Sequence, residues 1–349
     1  MARQVKRRTT PGRIALSVLK ILYLLLFIVC ALIVVLYFVF KTVVKPPAVD
    51  TQTKVVVTVR PTDDPATPDV DESQQTDAEP ATTTIQLTRK DQFFTFLLMG
   101  SDDGNGNADT IMVGAYDVKN NKISVISVPR DTLVDVSRTV KKINGAYGAG
   151  GVEQLLEELT PILGFTPDHY IKVDIQGFQA VVNQLGGVSF YVPCDMYHDD
   201  GAGFVIDLKE GTQWLNGNQA LQLVRYRGYA NADLGRIQTQ QKFLQQIAKQ
   251  VLSVSNVTKV NEFAKILSKY FDTDLSVTEL AWFGTAALSL DFSSDISFAT
   301  LPGDGDTTYK GIPWYYQLYP EECLEIINGT VNPYTTDITP EMTHIFQVK

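Results

Sequence analysis

The chain has 349 residues and a net charge of −9, a length that accommodates one large domain or two ordinary ones. The charge is uneven: residues 1–45 contain eight Lys and Arg and no acid, whereas the remainder carries 22 basic and 39 acidic residues, a net charge of −17. Such an acidic body argues against nucleic acid as the partner, because phosphate backbones are bound by basic surfaces.

Residues 21–40 form an uncharged, apolar run near the N-terminus. At about 1.5 Å per helical residue, the run is long enough to cross the roughly 30 Å hydrocarbon core of a bilayer. A cleaved signal peptide is the alternative, but its apolar part is shorter, about 7–15 residues, and ends at small residues, whereas bulky residues occupy 38–40. The short basic segment 1–20 precedes the run and predicts a cytoplasmic N-terminus. We therefore expect a single-pass anchor in the cell membrane with an extracytoplasmic domain.

Residues 41–90 are rich in Thr, Asp and Pro, and no aromatic residue occurs in 46–90. A segment of this composition cannot bury enough apolar surface to fold on its own. We predict a disordered extracytoplasmic linker, with at most a local strand at 54–59.

Residues 91–349 are predicted to form one α/β domain. Strands that alternate with helices, together with one clear hairpin, predict a mixed central sheet flanked by helices. The glycine-rich stretch 145–151 matches no phosphate-loop spacing and is predicted to be a plain loop. The predicted strands are 93–100, 110–116, 123–128, 169–173, 187–192 and 296–301, and the predicted helices are 151–163, 175–185, 216–224, 237–254, 260–270 and 276–289.

Three guanidiniums lie within twelve residues, at Arg225, Arg227 and Arg236. Arg236 and Gln240 are one helical turn apart and share a helix face, and Arg225 and Arg227 point to one side if the chain is extended there. Guanidiniums held close together repel each other unless an anion lies among them, and their planar forks suit phosphate oxygens. The pattern predicts a phosphate or diphosphate site.

Two acidic loops follow predicted strands, where ligands commonly bind in α/β domains. Asp102, Asp103 and Asp109 lie on the first loop, and Asp131 follows Arg130 on the second. Carboxylates beside arginines suit a magnesium-bridged diphosphate, because the hard oxygens bind the metal and the guanidiniums neutralise the remaining charge.

Structural explanations compete with this interpretation at several positions. Asp103 is better explained as part of a turn, because Asp, Asn and Gly favour turns. Asp233 is equally well explained as the N-cap of the helix that carries Arg236. Cys194 and Cys323 either pair in an oxidising compartment or remain unpaired thiols.

Ordered motifs between about residues 95 and 245 make the chain resemble the LytR–CpsA–Psr family of bacterial envelope proteins. One departure is Asn107-Ala108 before Asp109, where an Arg-Ser pair is common in the family, so a potential extra cation is missing. The matching segments are LLMGSD at 97–102, ADTIM at 108–112, SVPRDT at 127–132, KINGAY at 142–147, GGV at 186–188, LNGNQAL at 215–221, RYR at 225–227, DLGRIQ at 233–238 and QQ at 240–241.

This resemblance implies a Mg²⁺-assisted phosphotransferase that moves a glycopolymer from a polyprenyl (undecaprenyl) diphosphate carrier onto peptidoglycan. The prenyl tail would occupy an apolar tunnel between sheet and helices. Carried over to this chain, Asp102 and Asp109 would bind the metal, and Asp109 would also orient the acceptor hydroxyl. The diphosphate would be held, and the charge on the transferring phosphoryl group stabilised, by Arg130, Arg225, Arg227, Arg236 and Gln240. Two alternatives stay open: a pyrophosphatase that uses water as the acceptor, and a non-catalytic regulator that binds the lipid carrier.

Overall fold

The computed structural model describes residues 45–49, 52–58, 82–101, 106–201, 203–230, 232–251, 266, 269–291 and 294–348. The chain divides into two compact units, Met1–Pro47 with Ser276–Thr285, and Ala48–Leu275 with Ala286–Lys349. Within the described residues, no helix is both long and apolar enough to cross a membrane. The predicted span at 21–40 lies outside them.

Helices and strands alternate through most of the larger unit. The strands are β1 (Gln52–Thr58), β2 (Thr82–Thr88), β3 (Phe93–Ser101), β4 (Ala108–Asp117), β5 (Lys122–Ser127), β6 (His169–Val173), β7 (Val188–Val192), β8 (Met196–Asp199), β9 (Val205–Leu208), β10 (Gly211–Leu215), β11 (Phe271–Thr273), β12 (Ile296–Thr300), β13 (Gly303–Tyr309) and β14 (Ile312–Leu318). The helices are α1 (Gly145–Leu163), α2 (Ile175–Gln184), α3 (Gly217–Arg225), α4 (Ala232–Val251), α5 (Val277–Ala286) and α6 (Pro320–Thr330), with short 3₁₀ turns at Ala287–Ser289 and Pro340–Met342.

Helix α5 supplies most of the described part of the smaller unit. It begins at a reciprocal cap in which the Ser276 amide donates to Glu279 Oε2 and the Glu279 amide donates to Ser276 Oγ. This capping box satisfies two amide groups that the first helical turn leaves without intrahelical partners.

The central sheet has six strands in the order β11-β6-β3-β4-β5-β12. The pairs β6–β3 and β5–β12 are parallel, whereas β11–β6, β3–β4 and β4–β5 are antiparallel. The predicted mixed sheet flanked by helices is therefore confirmed.

Alternation along β3 and β4 gives the sheet two apolar faces. Leu97, paired with Val113, belongs to the core that α1 and α6 cover, and both side chains are fully buried. Their neighbours Leu98 and Met112, also paired, line a cavity on the other face. Successive strand side chains point to opposite faces, so one hairpin supplies both the core and a ligand-sized space.

A second apolar cluster lies where α2, α3 and α4 pack with the hairpins β7–β10 and β8–β9. Its centre includes Val182, Leu223 and Phe243, all at most 1% exposed. Helices α2 and α3 begin at side-chain caps, Asp174 and Asn216 respectively.

The folded domain begins earlier than Asp91, contrary to the predicted linker at 41–90. Strands β1 and β2 pair antiparallel within that segment. Leu87 is buried in the main core, and Arg89 forms an ion pair with Asp168 at 2.6 Å. The apolar residues in this segment are few, but they find partners far along the chain, which local composition does not reveal.

One other prediction from local pattern is wrong. The predicted loop at 145–151 is the first part of α1, which bends where Gly150 and Gly151 leave helical geometry. The predicted strand at 187–192 is confirmed as β7, which pairs with β10 in a two-stranded sheet separate from the central one. The strands at 303–318 and helix α6 were not predicted, and most of the predicted helix at 260–270 lies outside the described residues.

Candidate diphosphate and lipid site

A cavity of about 1180 Å³ lies between the central sheet and helices α2, α3 and α4. Its floor is formed by side chains of β3, β4 and β6, and hairpin β8–β9 contributes to another wall. Most of the lining is aliphatic or aromatic. The apolar lining includes Leu98, Met112, Ile171, Phe178, Val181, Phe204, Ile206, Leu221, Val224, Phe243, Leu244, Ile247 and Val251.

A β-bulge at the start of β4 places Asp109 in the cavity wall. Gly100 pairs with Thr110, but the next pair is Ser101 with Ala108, so Asp109 is the extra residue on its strand. A bulge leaves the extra residue out of the regular ladder and redirects its side chain.

The backbone of Asn144 joins the start of β4, which carries Asp109, to the loop after β5, which carries Arg130. Its amide donates to Arg130 O, and its carbonyl accepts from the Ala108 amide, each at 3.1 Å. Asn144 is 7% exposed and directly precedes α1. The start of this helix thus fixes the separation of the strand and the loop.

Asp109 lies between two guanidiniums from distant parts of the chain. Arg130 Nη1 donates to Asp109 Oδ1, and Arg227 Nη2 lies 3.6 Å from the same oxygen. Arg130 also lies near Asp131, with Nε 3.6 Å from Oδ1. Asp131 in turn pairs with Lys142 at 3.3 Å.

Arg236 is the buried cation of the cavity, with a side chain only 3% exposed. Its Nη2 pairs with Asp233 at 2.8 Å, whereas its buried Nε has no hydrogen-bond partner among the described residues. The pKa of Arg236 is lowered to about 10, mainly by burial; the nearby Arg227 and Arg130 contribute to this lowering, while Asp233 and Asp109 oppose it. Arg236 therefore remains protonated at neutral pH, next to other cations.

Arg225 ends α3 and packs its guanidinium against Phe204, 5.0 Å from the ring centroid. Gln240, one turn beyond Arg236, donates its amide to Val224 O at 3.0 Å and so ties α4 to the end of α3. Arg225, Arg227 and Gln240 all line the cavity. Because α3 ends at Arg225, that residue and Arg227 do not share an extended strand, contrary to the simple alternation argument.

Helix α4 is anchored to the sheet by Gln241. Its side-chain amide donates to Ser127 Oγ at 2.9 Å, Ala299 O at 2.9 Å and Thr300 Oγ1 at 3.1 Å. These acceptors lie at the ends of two parallel strands, β5 and β12. The contacts fix the helix that carries Arg236, a positioning role that the sequence did not single out.

The residues near Asp109 fit a hard divalent cation in part. Ser101 Oγ is buried beside the bulge without a hydrogen-bond partner in the described chain, and Ser101 and Asp109 both line the cavity. A carboxylate and a hydroxyl are oxygen donors of the kind that Mg²⁺ accepts. The described residues contain no cluster of three His, Cys, Asp or Glu that could hold a metal without further ligands. Asp102 and Asp103 lie outside the described residues.

The sequence model of the LytR_cpsA_psr family matches residues 62–330 of this chain. The chain belongs to the LytR_cpsA_psr family. The sequence-based assignment is therefore confirmed, and the family match begins within the segment that composition predicts as linker.

Two relatives place this member of the LytR_cpsA_psr family more closely. The chain is 31% identical over 263 residues to the Bacillus subtilis polyisoprenyl-teichoic acid–peptidoglycan teichoic acid transferase TagV, covering 71% of this chain and 66% of TagV. It is 35% identical over 193 residues to the regulatory protein MsrR of Staphylococcus aureus, covering 54% of this chain and 58% of MsrR. It therefore spans less than two thirds of the length of either relative.

The solved structures agree with the fold. The crystal structure of B. subtilis TagV superposes with a TM-score of 0.61 at 27% identity, covering 69% of this chain and 96% of that one. A structure of TagT bound to LIIa-WTA superposes with a TM-score of 0.58 at 26% identity, covering 68% and 89%.

The family motifs converge on one end of the cavity. Of the site residues proposed from sequence, Asp109, Arg130, Arg225, Arg227, Arg236 and Gln240 all line it. Asp233 belongs to the first turn of α4 and pairs with Arg236; it is a helical residue, not the N-cap. Cys194 and Cys323 are both free.

Proposed function

We propose that this protein transfers a glycopolymer from a polyprenyl diphosphate carrier onto peptidoglycan, forming a phosphodiester during cell wall assembly. The observation that carries the proposal is one cavity whose lining is mostly apolar and includes a cationic cluster in which Arg130, Arg227 and Arg236 lie near Asp109. A ligand with a diphosphate group and a long hydrocarbon tail matches both parts. The naming of TagV as a polyisoprenyl-teichoic acid–peptidoglycan transferase supports the same assignment.

Arg236 is suited to hold the diphosphate. Its buried Nε is a donor in need of an acceptor, and an unsatisfied buried donor is destabilising. A phosphate oxygen would satisfy this donor and offset the repulsion from Arg130 and Arg227. Donors fixed in advance and shielded from water stabilise developing negative charge better than solvent does.

Arg130 and Arg227 are suited to act on the transferring phosphoryl group, because both already contact Asp109 at the cavity wall. An incoming phosphate would compete with that carboxylate for the guanidiniums. Asp109, released from part of its pairing, would accept a hydrogen bond from the acceptor hydroxyl and direct it toward the phosphorus that carries the glycopolymer. As the hydroxyl oxygen bonds to that phosphorus, the bond from phosphorus to the bridging oxygen breaks, and polyprenyl monophosphate leaves with the proton that the hydroxyl loses.

Mg²⁺ is part of the proposal. Asp109 and Ser101, with Asp102 next to Ser101 in the sequence, would hold it. When bound, the ion would neutralise charge on the diphosphate and polarise a phosphoryl oxygen.

The proposed location is the cell membrane, with the N-terminus in the cytoplasm and the catalytic domain outside. The basic residues before the apolar run at 21–40 support this orientation. Protease added to intact, wall-stripped cells should degrade everything beyond about residue 45. Protection of the acidic domain in such cells would refute the orientation.

One reconstitution separates transfer from its alternatives. Purified full-length protein in detergent is incubated with labelled lipid-linked glycopolymer, Mg²⁺ and peptidoglycan fragments. Label in the peptidoglycan supports the transferase. Free phosphorylated glycan would indicate a pyrophosphatase, and lipid binding without turnover would indicate a regulator, as the name of MsrR suggests for that relative.

A further inference from the structure

Hairpin β13–β14 holds an exposed tryptophan in a strained backbone conformation. Trp314 has φ +63°, in the left-handed region that bulky side chains rarely adopt, and its side chain is 65% exposed. The neighbouring Tyr315 is fully buried. The hairpin register also shifts twice, between Asp304 and Thr307 and again before Tyr309.

The backbone conformation and the exposure of Trp314 are both unfavourable for folding stability. A left-handed conformation destabilises a non-glycine residue. Because the indole is exposed, Trp314 also lacks most of the stabilisation that burial of apolar surface provides. Backbone strain of this kind concentrates at ligand-contacting positions, where the surrounding structure maintains it. Trp214 is a useful contrast: it is 61% exposed, has no positive φ, and donates its indole N–H to Gly186 O at 2.6 Å.

The hairpin is joined directly to the loop that carries Arg130. The Tyr316 amide donates to Asp131 O, and the Leu133 amide donates to Tyr316 O, each at 2.9 Å. Tyr315 Oη also accepts a hydrogen bond from the Lys141 amide at 3.1 Å. Given strand spacing and residue rise, Trp314 lies within about 20 Å of Arg130, close enough for one polymeric ligand to contact both.

We propose that Trp314 is a stacking platform for the glycan strand of the acceptor, beyond the sugar that receives the phosphoryl group. This inference rests on the proposed function, which requires a polymeric saccharide next to the Arg130 loop. An exposed indole presents a flat apolar face of the kind that covers the C–H face of a sugar ring. Asp304 and Asp306 lie on the paired strand of the same hairpin, and their carboxylates can accept hydrogen bonds from sugar hydroxyls.

Charge favours a glycan over a lipid surface. Hairpin residues 303–318 carry two Asp and one Lys, and the chain beyond residue 45 is strongly acidic. Anionic membranes attract basic segments instead. An aromatic residue with acidic neighbours is better matched to a hydroxyl-rich, uncharged strand.

Binding is tested with full-length protein in detergent, carrying Trp214→Phe and Trp282→Phe so that Trp314 is the remaining indole among the three. The probe is uncharged glycan strands of β-1,4-linked N-acetylglucosamine, which match the sugar backbone of peptidoglycan without the free lactyl carboxylates that removal of its peptides would expose. The emission of Trp314 should shift on titration with these strands and stay constant with vesicles of anionic phospholipid. A response to vesicles alone, or to neither probe, would overturn the assignment.

Function is tested with Trp314→Asn, because Asn tolerates the left-handed conformation. The melting temperature should rise by a few degrees while the acceptor KM rises about tenfold, a change equivalent to 1.4 kcal/mol. kcat and the donor KM should change less than twofold.

Trp214→Ala is the matched control and should leave the acceptor KM unchanged. An unchanged acceptor KM, or a lowered melting temperature, in Trp314→Asn would refute the platform. If the protein transfers nothing, the fluorescence titration still decides whether Trp314 binds glycan.

Discussion

Arg130 donates a hydrogen bond to Asp109 across 21 positions of sequence, from the loop after β5 to the bulge at the start of β4. The contact forms because the amide and carbonyl of Asn144 hold this loop and the first residue of β4 at the start of α1. Arg227 approaches the same carboxylate from the end of α3. The carboxylate thus keeps two cations together in the absence of phosphate.

Asp109→Asn should reduce transfer at least a hundredfold while preserving the fold. The amide keeps the size of the side chain but removes the charge that pairs with Arg130 and Arg227, and it is a poorer ligand for Mg²⁺. Removal of one group that acts on the transition state commonly costs a hundred- to a thousandfold in rate, or about 2.7–4 kcal/mol. Initial rates measured across a Mg²⁺ titration test this prediction.

The control for this variant is Asp117→Asn, at the opposite end of β4, where the carboxylate accepts hydrogen bonds from the backbone and side-chain amides of the turn residue Asn120. It should transfer at the wild-type rate. Normal transfer by Asp109→Asn at limiting Mg²⁺ would show that this residue neither binds the metal nor acts on the acceptor.

Arg236→Met should raise the melting temperature in the absence of ligand and abolish stabilisation by pyrophosphate. Methionine fills similar space without a buried charge, and replacement of a poorly compensated buried ion by an apolar side chain can stabilise a protein by about 1–4 kcal/mol. Pyrophosphate should stabilise the wild type, by about 2.7 kcal/mol at a hundred times its Kd. Thermal unfolding with and without pyrophosphate measures both effects.

Arg89→Met provides the opposite result. Arg89 is also buried and also pairs with a carboxylate, Asp168 at 2.6 Å, but Asp168 is only 12% exposed, whereas the partner of Arg236, Asp233, is 37% exposed, and neither Arg89 nor Asp168 lines the cavity. Its loss should lower the melting temperature and leave the pyrophosphate shift intact. Equal pyrophosphate shifts in wild type and Arg236→Met would remove the reason for placing the diphosphate at Arg236.

The sequence predicts which residues line this site better than it predicts the contacts that bring them together. Strong periodicity and strand-end positions identify β3 to β6 and most of the helices, and the family motifs identify the six cavity residues. The bulge at Asp109 and the anchoring of α4 by Gln241 depend on contacts with other strands. A linear pattern carries no signal for such contacts.

The errors have the same origin. Composition predicts 41–90 as a linker because its few apolar residues have no local partners, yet Leu87 is buried in the core of the distant sheet. Glycine density predicts a loop at 145–151, yet packing keeps that stretch helical up to the bend at Gly150. In both cases tertiary contacts override a weak local preference.

Arg225→Lys should reduce transfer by a hundredfold or more, and Phe204→Leu should weaken donor binding severalfold. Lysine keeps the charge but loses the planar fork that binds a diphosphate through two parallel hydrogen bonds. Leucine keeps an apolar contact but removes the cation–π interaction, worth about 0.5–1 kcal/mol at an accessible site. Steady-state kinetics with varied donor should show the change in KM for Phe204→Leu and in kcat/KM for Arg225→Lys.

A companion variant tests the same arginine cluster at a more exposed position. Arg227→Lys, whose side chain is 54% exposed, should lose activity without unfolding. An exposed ion pair alone contributes only about 0–1 kcal/mol to stability, so a merely structural arginine would tolerate the change. Near-normal activity in both lysine variants would contradict the diphosphate assignment.

Val181→Trp should discriminate against long prenyl donors while leaving the diphosphate end intact. Val181 lines the apolar part of the cavity from α2, so an indole there would occupy space that a hydrocarbon tail needs. Overfilling of an apolar space costs about 1–3 kcal/mol, and a shorter tail would avoid the clash. The donor KM should therefore rise steeply with prenyl length in the variant. In the wild type it should fall or stay level with length, because longer tails bury more apolar surface.

Pyrophosphate should still raise the melting temperature of the variant. Val140→Trp, at a position 49% exposed and outside the cavity, is the control for the added indole. If Val181→Trp used long and short donors in the wild-type ratio, the hydrocarbon tail would have to lie elsewhere.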